Sequence, residues 1–114
     1  METIIRTIHG QVPSKSNGYV VGLKGIYKSK KVKEYERLFS IQYARHEKIE
    51  TEFAIHCDVY FKTKASDLDG MWKITLDCLQ KNGAISNDRN CIALSAKKFV
   101  DIKDPRIEIR INKI

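Results

Sequence analysis

The chain has 114 residues, 42% of them hydrophobic, and carries 21 Lys and Arg against 14 Asp and Glu, a formal net charge of +7. That length is expected to hold one domain with one core, in a size range where roughly two-thirds of the unfolded surface is buried, and it argues against a second. The apolar runs fall well short of the ~18 residues needed to cross a bilayer, and Met1-Glu2-Thr3-Ile4-Ile5 has no signal-peptide core, so a soluble cytosolic protein is expected.

Glu2 to Gly10 alternates apolar and polar positions, is rich in β-branched residues and closes on glycine, which predicts a first strand. Val12 to Gly18 is dense in turn formers, and Gly22, Gly25 and several lysines continue an irregular basic loop to about Lys30. No acidic residue occurs from Thr3 to Lys33, whereas Arg6, Lys15, Lys24, Lys28, Lys30, Lys31 and Lys33 are all cationic. Such a stretch is an electrostatic footprint for phosphates, with Tyr19 and Tyr27 placed to stack on unpaired bases or simply to pack in the core.

From Ser29 or Lys30 to Lys48, Val32, Tyr35, Leu38, Phe39, Ile41, Tyr43 and Ala44 recur at three- and four-residue steps and predict a helix. Glu52 to Lys62 places Phe53, Ile55, Cys57, Val59 and Phe61 at period two, the pattern of a strand with one buried face. Asp67 to Lys81 predicts a second helix, stopped by Asn82-Gly83. Ile92 to Val100 and Arg106 to Ile111 predict two further strands around Pro105. The order β-α-β-α-β-β gives an α/β fold of the α+β kind, a small mixed sheet with both helices packed over one face. Cys57, Cys78 and Cys91 are odd in number and widely spaced, which suits reduced structural thiols, and His9, His46 and His56 show no metal-ligand spacing.

The chemistry concentrates in Asp67-Leu68-Asp69-Gly70-Met71-Trp72-Lys73 and in Asp88 of the Ser86 to Asn90 segment. Three carboxylates in a basic chain make sense around a divalent metal facing a polyanion, and that combination suggests a metal-dependent nuclease. Structural roles compete with this reading. An aspartate at a helix N-terminus caps it for up to about 2 kcal/mol, and Asp69 with Lys73 forms an i,i+4 pair worth roughly 0.3–0.5 kcal/mol. Asp88 alone reads as a solvated turn residue. To join the other two it must return along a helix roughly 18 Å long, and Gly83 to Asp88 reaches about 20 Å if extended. The strands before and after this helix should then run antiparallel; if they are parallel, Asp88 can meet the acidic pair only across a dimer.

The pattern Asp-Leu-Asp-x-x-x-Lys-x-x-x-Asp from Asp67 to Asp77, with Asp88 and the early Pro13-Ser14-Lys15-Ser16-Asn17 segment, resembles the RusA family of Holliday junction resolvases. The resemblance spans nearly the whole chain and implies a single RusA-like endonuclease domain over residues 1–114. By that resemblance Asp67, Asp69 and Asp88 are catalytic carboxylates that hold Mg²⁺, with Mn²⁺ as a possible substitute, and Lys73 is their cationic neighbour. It further implies a homodimer acting on four-way junction DNA, giving paired nicks with 5′-phosphate ends, and Lys15, Lys24, Lys28, Lys30 and Lys31 are the candidate DNA contacts. Two positions depart from the family pattern: Gly70 stands where Asn is usual, and Asn87 where a second acid is frequent. They motivate the alternative of a catalytically inactive branched-DNA-binding module.

Overall fold

The alternation from residue 53 to 61 is realised as the strand at the centre of the fold. In this computed structural model, which describes residues 2–13, 19–22 and 25–114 with residues 19–22, 25–28 and 69 as backbone alone, Phe53, Ile55, Cys57, Val59 and Phe61 are buried and the residues between them half-buried. Successive side chains of a strand point to opposite faces, so the sequence period becomes a core face and an outer face. The elements are β1 (Thr3–His9), β2 (Tyr19–Gly22), β3 (Gly25–Lys28), α1 (Lys30–Gln42), β4 (Phe53–Phe61), α2 (Trp72–Lys81), β5 (Cys91–Val100) and β6 (Arg106–Lys113). A four-stranded mixed sheet runs in the order β1-β6-β4-β5, with β6 antiparallel to both β1 and β4 and β5 parallel to β4.

The order β-α-β-α-β-β is the expected one, with one addition. Residues 19–28, read from the sequence as irregular loop, contain the antiparallel hairpin β2–β3, Tyr19 opposite Lys28 and Gly22 opposite Gly25. Its four-residue strands are too short for a periodic signal, and their glycines read as loop.

Both helices pack their apolar stripes on the core face. Val32, Tyr35 and Phe39 of α1 and Ile74, Cys78 and Leu79 of α2 meet Ile4 and Ile8 of β1, the odd residues of β4 and Ile107, Ile109 and Ile111 of β6. Each large apolar side chain so buried contributes on the order of 1.5–3 kcal/mol. Lys81 Nζ lies 3.8 Å from the buried carboxylate of Glu36, an ion pair between the helices.

The first helix ends at Gln42, six residues before the expected Lys48. Helical periodicity persists in the sequence, but tertiary contacts end the helix. The Gln42 amide accepts from the His9 N–H (2.7 Å) and donates to its carbonyl (2.9 Å), and Arg6 Nε donates to the Ala44 carbonyl (2.9 Å). Tyr43 stacks on Phe39, and its hydroxyl pairs with His46 Nε2 (2.7 Å). Burial pushes the Tyr43 phenol up to about 12.

The three cysteines are thiols, and burial pushes Cys57 up to about 12, so it stays protonated and inert. His56 is a half-buried cross-strand bridge, its Nδ1 2.7 Å from Ser95 Oγ and its Nε2 2.9 Å from Asp58.

Candidate active site

β4 leaves the sheet at Phe61, and residues 62–68 turn the chain over its end into a single 3₁₀ turn, Asp69–Met71, that leads directly into α2. Met71 is fully buried and Leu68 packs against the core, so these two apolar residues fix the turn while Asp67 stays exposed. The cap positions of the turn and the helix fall on Leu68 and Met71, neither of which makes a side-chain cap bond. Neither aspartate occupies a cap position, so the capping role expected of an aspartate here is not the one the backbone provides. Lys73 is exposed on the first turn of α2, beside the buried pair Ile74 and Thr75.

A cleft of about 500 Å³ opens next to this entrance, lined by Gln11, Lys30, Lys31, Glu34, Lys62 and Ser66 among others. Ser66 directly precedes Asp67. Lys30 and Lys31 belong to the first turn of α1, which Ser29 caps by accepting from the Val32 N–H at 3.3 Å. The positive end of a helix and three ammonium groups therefore flank the acidic segment, an arrangement that attracts phosphate. Lys62, read from the sequence only as the last residue of a strand, is placed by the structure in the wall of this cleft. Its backbone N–H, which donates to Gln11 Oε1 at 2.7 Å, ties it to the cleft wall. Lys28 is the last residue of β3, while Lys15 and Lys24 lie outside the described residues.

Asp88 is exposed at the opposite end of the sheet, in the short turn Asp88–Asn90 that leads into β5. Its N–H donates to Gln80 Oε1 (3.2 Å) at the far end of α2, and the Asn87 side chain accepts from the Arg89 N–H (2.9 Å). Asp69 and Gln80 are separated by eleven helical steps, about 16 Å along the axis. The expectation of antiparallel strands around α2 is thus corrected: β4 and β5 are parallel, Phe53 opposite Cys91 and Phe61 opposite Val100.

The physical reason lies in how residues 82–90 are used. Gly83 adopts φ 74°, and its N–H bonds the Gln80 carbonyl (3.2 Å) while the Ala84 N–H bonds that of Leu79 (2.9 Å), a Schellman closure of α2. Ile85 then bridges Ile49 in parallel fashion. The segment whose extended length reaches back to Asp67 is spent on these turns, and α2 becomes the crossover of a parallel β-α-β unit.

One chain therefore brings Asp67, Asp69 and Lys73 to one end and leaves Asp88 at the other. Among the described residues, no three His, Cys, Asp or Glu side chains come close enough together to hold a metal ion, and no hydrogen bond or ion pair engages the carboxylates of Asp67 or Asp88. Burial first, and less strongly the Asp88 charge, raise the neighbouring Cys91 thiol, which stays protonated. No helix among the described residues is long and apolar enough to cross a membrane. A family model described as Endodeoxyribonuclease RusA matches residues 10–112. Among curated proteins, none matches the chain.

Proposed function

Because the chain belongs to the RusA endodeoxyribonuclease family, we propose that it nicks four-way DNA junctions in a divalent-metal-dependent reaction, leaving 5′-phosphate ends, and that it acts as a homodimer. The observation that carries this reading is the meeting, at one end of the sheet, of the acidic entrance to α2 with the basic cleft of Lys30, Lys31 and Lys62.

The donor set suits a hard cation. The exposed carboxylates of Asp67 and Asp88, which no other described residue engages, keep their oxygens available, and a few carboxylates hold Mg²⁺ while leaving positions open for water and phosphate. Asp67 and Asp69 of one chain would hold the ion together with Asp88 of a second copy. When bound, Mg²⁺ supplies Lewis acidity at the phosphodiester and an acidified water; Mn²⁺ would serve the same ligands. The ammonium of Lys73, one helical turn beyond Asp69, opposes the negative charge that develops on the phosphate. Lys30, Lys31 and Lys62 hold the flanking strand by its phosphates, with Lys15, Lys24 and Lys28 extending that contact. Such contacts fix position and carry no sequence information, so the junction is selected by shape.

The test compares labelled four-way junction with linear duplex, wild type with Asp69→Asn, and reactions with and without Mg²⁺. The expected result is paired symmetric nicks in the junction alone, abolished in the variant while binding persists. Wild-type-like nicking by Asp69→Asn would contradict the assignment. Junction binding without nicking by the wild type would replace it with a binding module.

A further inference from the structure

The furrow between α1 and α2 is basic along its length. Two depressions open into it and share Ser40 and Lys81: one of about 430 Å³ with Lys33 and Arg37 in its wall, and one of about 600 Å³ with Arg45, His46 and Lys48. Lys33, Arg37 and Ser40 follow one another at four and three steps and so share one flank of α1, whereas Lys30, Lys31 and Glu34 line the cleft on the other flank. Acids do little to neutralise this track. Glu36 is buried and answers Lys81 at 3.8 Å, and Glu34 accepts from Arg37 at 2.6 Å. Lys33, Arg45 and Lys48 are exposed, and no described residue engages their charges through a hydrogen bond or ion pair.

Cations near helix C-termini commonly serve the last carbonyls of the helix. Here those carbonyls are already taken. The Asn82 N–H and side chain both bond the Cys78 carbonyl, Gly83 bonds that of Gln80, and Ala84 that of Leu79. At the end of α1 the Tyr43 N–H takes the Phe39 carbonyl, and Arg6 takes that of Ala44. Arg45 and Lys48 are left with nothing of their own fold to neutralise.

We propose that this furrow binds the phosphodiester backbone of a DNA strand, as a second phosphate track separate from the cleft of Lys30, Lys31 and Lys62; given the nuclease reading above, the strand belongs to an arm of the junction. The shape of the track selects an extended polyanion over a single phosphate. From Lys33 to Tyr43 the helix alone advances about 15 Å, and one strand of duplex presents a phosphate about every 3.4 Å of its axis, so roughly four phosphates lie along it. Ser40 and Lys81, shared by both depressions, make the track continuous. With cations on both flanks of α1, the helix lies against the duplex with phosphates to either side. His46 stands in the wall with its ring fixed, Nε2 2.7 Å from the Tyr43 hydroxyl and Nδ1 2.9 Å from the Glu47 carbonyl, and reports on charge placed beside it.

The test measures junction affinity against salt, without Mg²⁺, for wild type, for Lys33→Ala/Arg45→Ala/Lys48→Ala, and for Lys97→Ala/Lys103→Ala/Arg110→Ala, which removes the same charge from exposed positions off the track. The track variant is expected to bind at least about tenfold more weakly on junctions of unrelated sequence, and to lose roughly two to three units from the slope of log affinity against log salt, at about 0.9 for each phosphate released. The control variant should lose less than about one, with thermal midpoints near wild type for both. Equal losses in the two variants, or an unchanged slope in the first, would overturn the track. So would His46 ring resonances that shift with inorganic phosphate while the slope stays unchanged, since the ligand would then be a small phosphate. Binding is read without cleavage, so a wild type that never nicks counts against the nuclease reading alone, and one that nicks while the slopes stay equal counts against the track alone.

Discussion

The two ends of α2 are built on different principles. Its exit is closed by backbone geometry: Gly83 in the left-handed region, the paired bonds to Gln80 and Leu79, and the Asn82 side chain donating to the Cys78 carbonyl at 2.8 Å. Its entrance has Leu68 and Met71 at the cap positions and an exposed aspartate beside a basic cleft. A helix that ends in satisfied hydrogen bonds and begins without a side-chain cap has one terminus closed by its own backbone and one left open, and the proposed function assigns the chemistry to the open one. Asp88 is grouped with the second by the family resemblance but sits beside the first, so the proposed function takes it from a second copy.

Substitutions at the two ends should separate catalysis from folding. At the entrance, Lys73→Met is expected to lower junction nicking on the order of 10²-fold, the scale of losing one charge-stabilising donor. Its thermal midpoint and junction affinity should stay near wild type, and an equal loss of affinity would reassign the lysine to substrate binding. At the exit, Gly83→Ala is expected to cost about 1 kcal/mol of stability, because an L-residue is disfavoured at this φ. A built Cβ would meet nothing closer than Lys48 Cε at 3.9 Å, so the cost is conformational and not steric. Denaturant unfolding measures it, while nicking per folded molecule should not change. The smallest effect belongs to the cleft: Lys62→Ala should weaken junction binding modestly and reduce the slope of log affinity against log salt by about one. An unchanged slope would place Lys62 outside the phosphate contacts.

Much of this architecture is written in local pattern. Phe53 to Phe61 alternates and is the central strand, and Asn82-Gly83 announces the end of α2. The spacing of Asp67, Asp69 and Lys73 already marks the acidic entrance. What the chain does not reveal locally depends on distant contacts. The end of α1 is set by Gln42 meeting His9, thirty-three positions away. The direction of β5 depends on how residues 82–90 consume their length, since the same residues, stretched out, would have reached the other end. The hairpin β2–β3 is hidden because its strands are short and bounded by glycine. Lys62 is legible as part of the basic cleft only once the end of β4 is seen beside the first turn of α1.

The most direct test of the shared site mixes two inactive variants, Asp69→Asn and Asp88→Asn, after subunit exchange. If each site takes Asp67 and Asp69 from one chain and Asp88 from the other, every mixed dimer holds one intact site and one doubly altered site, and with random exchange about a quarter of all sites are restored. Single-strand nicking of a labelled junction should return on mixing, whereas neither variant nicks alone. If both variants are inactive alone and the mixture remains inactive despite demonstrated exchange, each site draws all three acids from a single chain and the account is wrong.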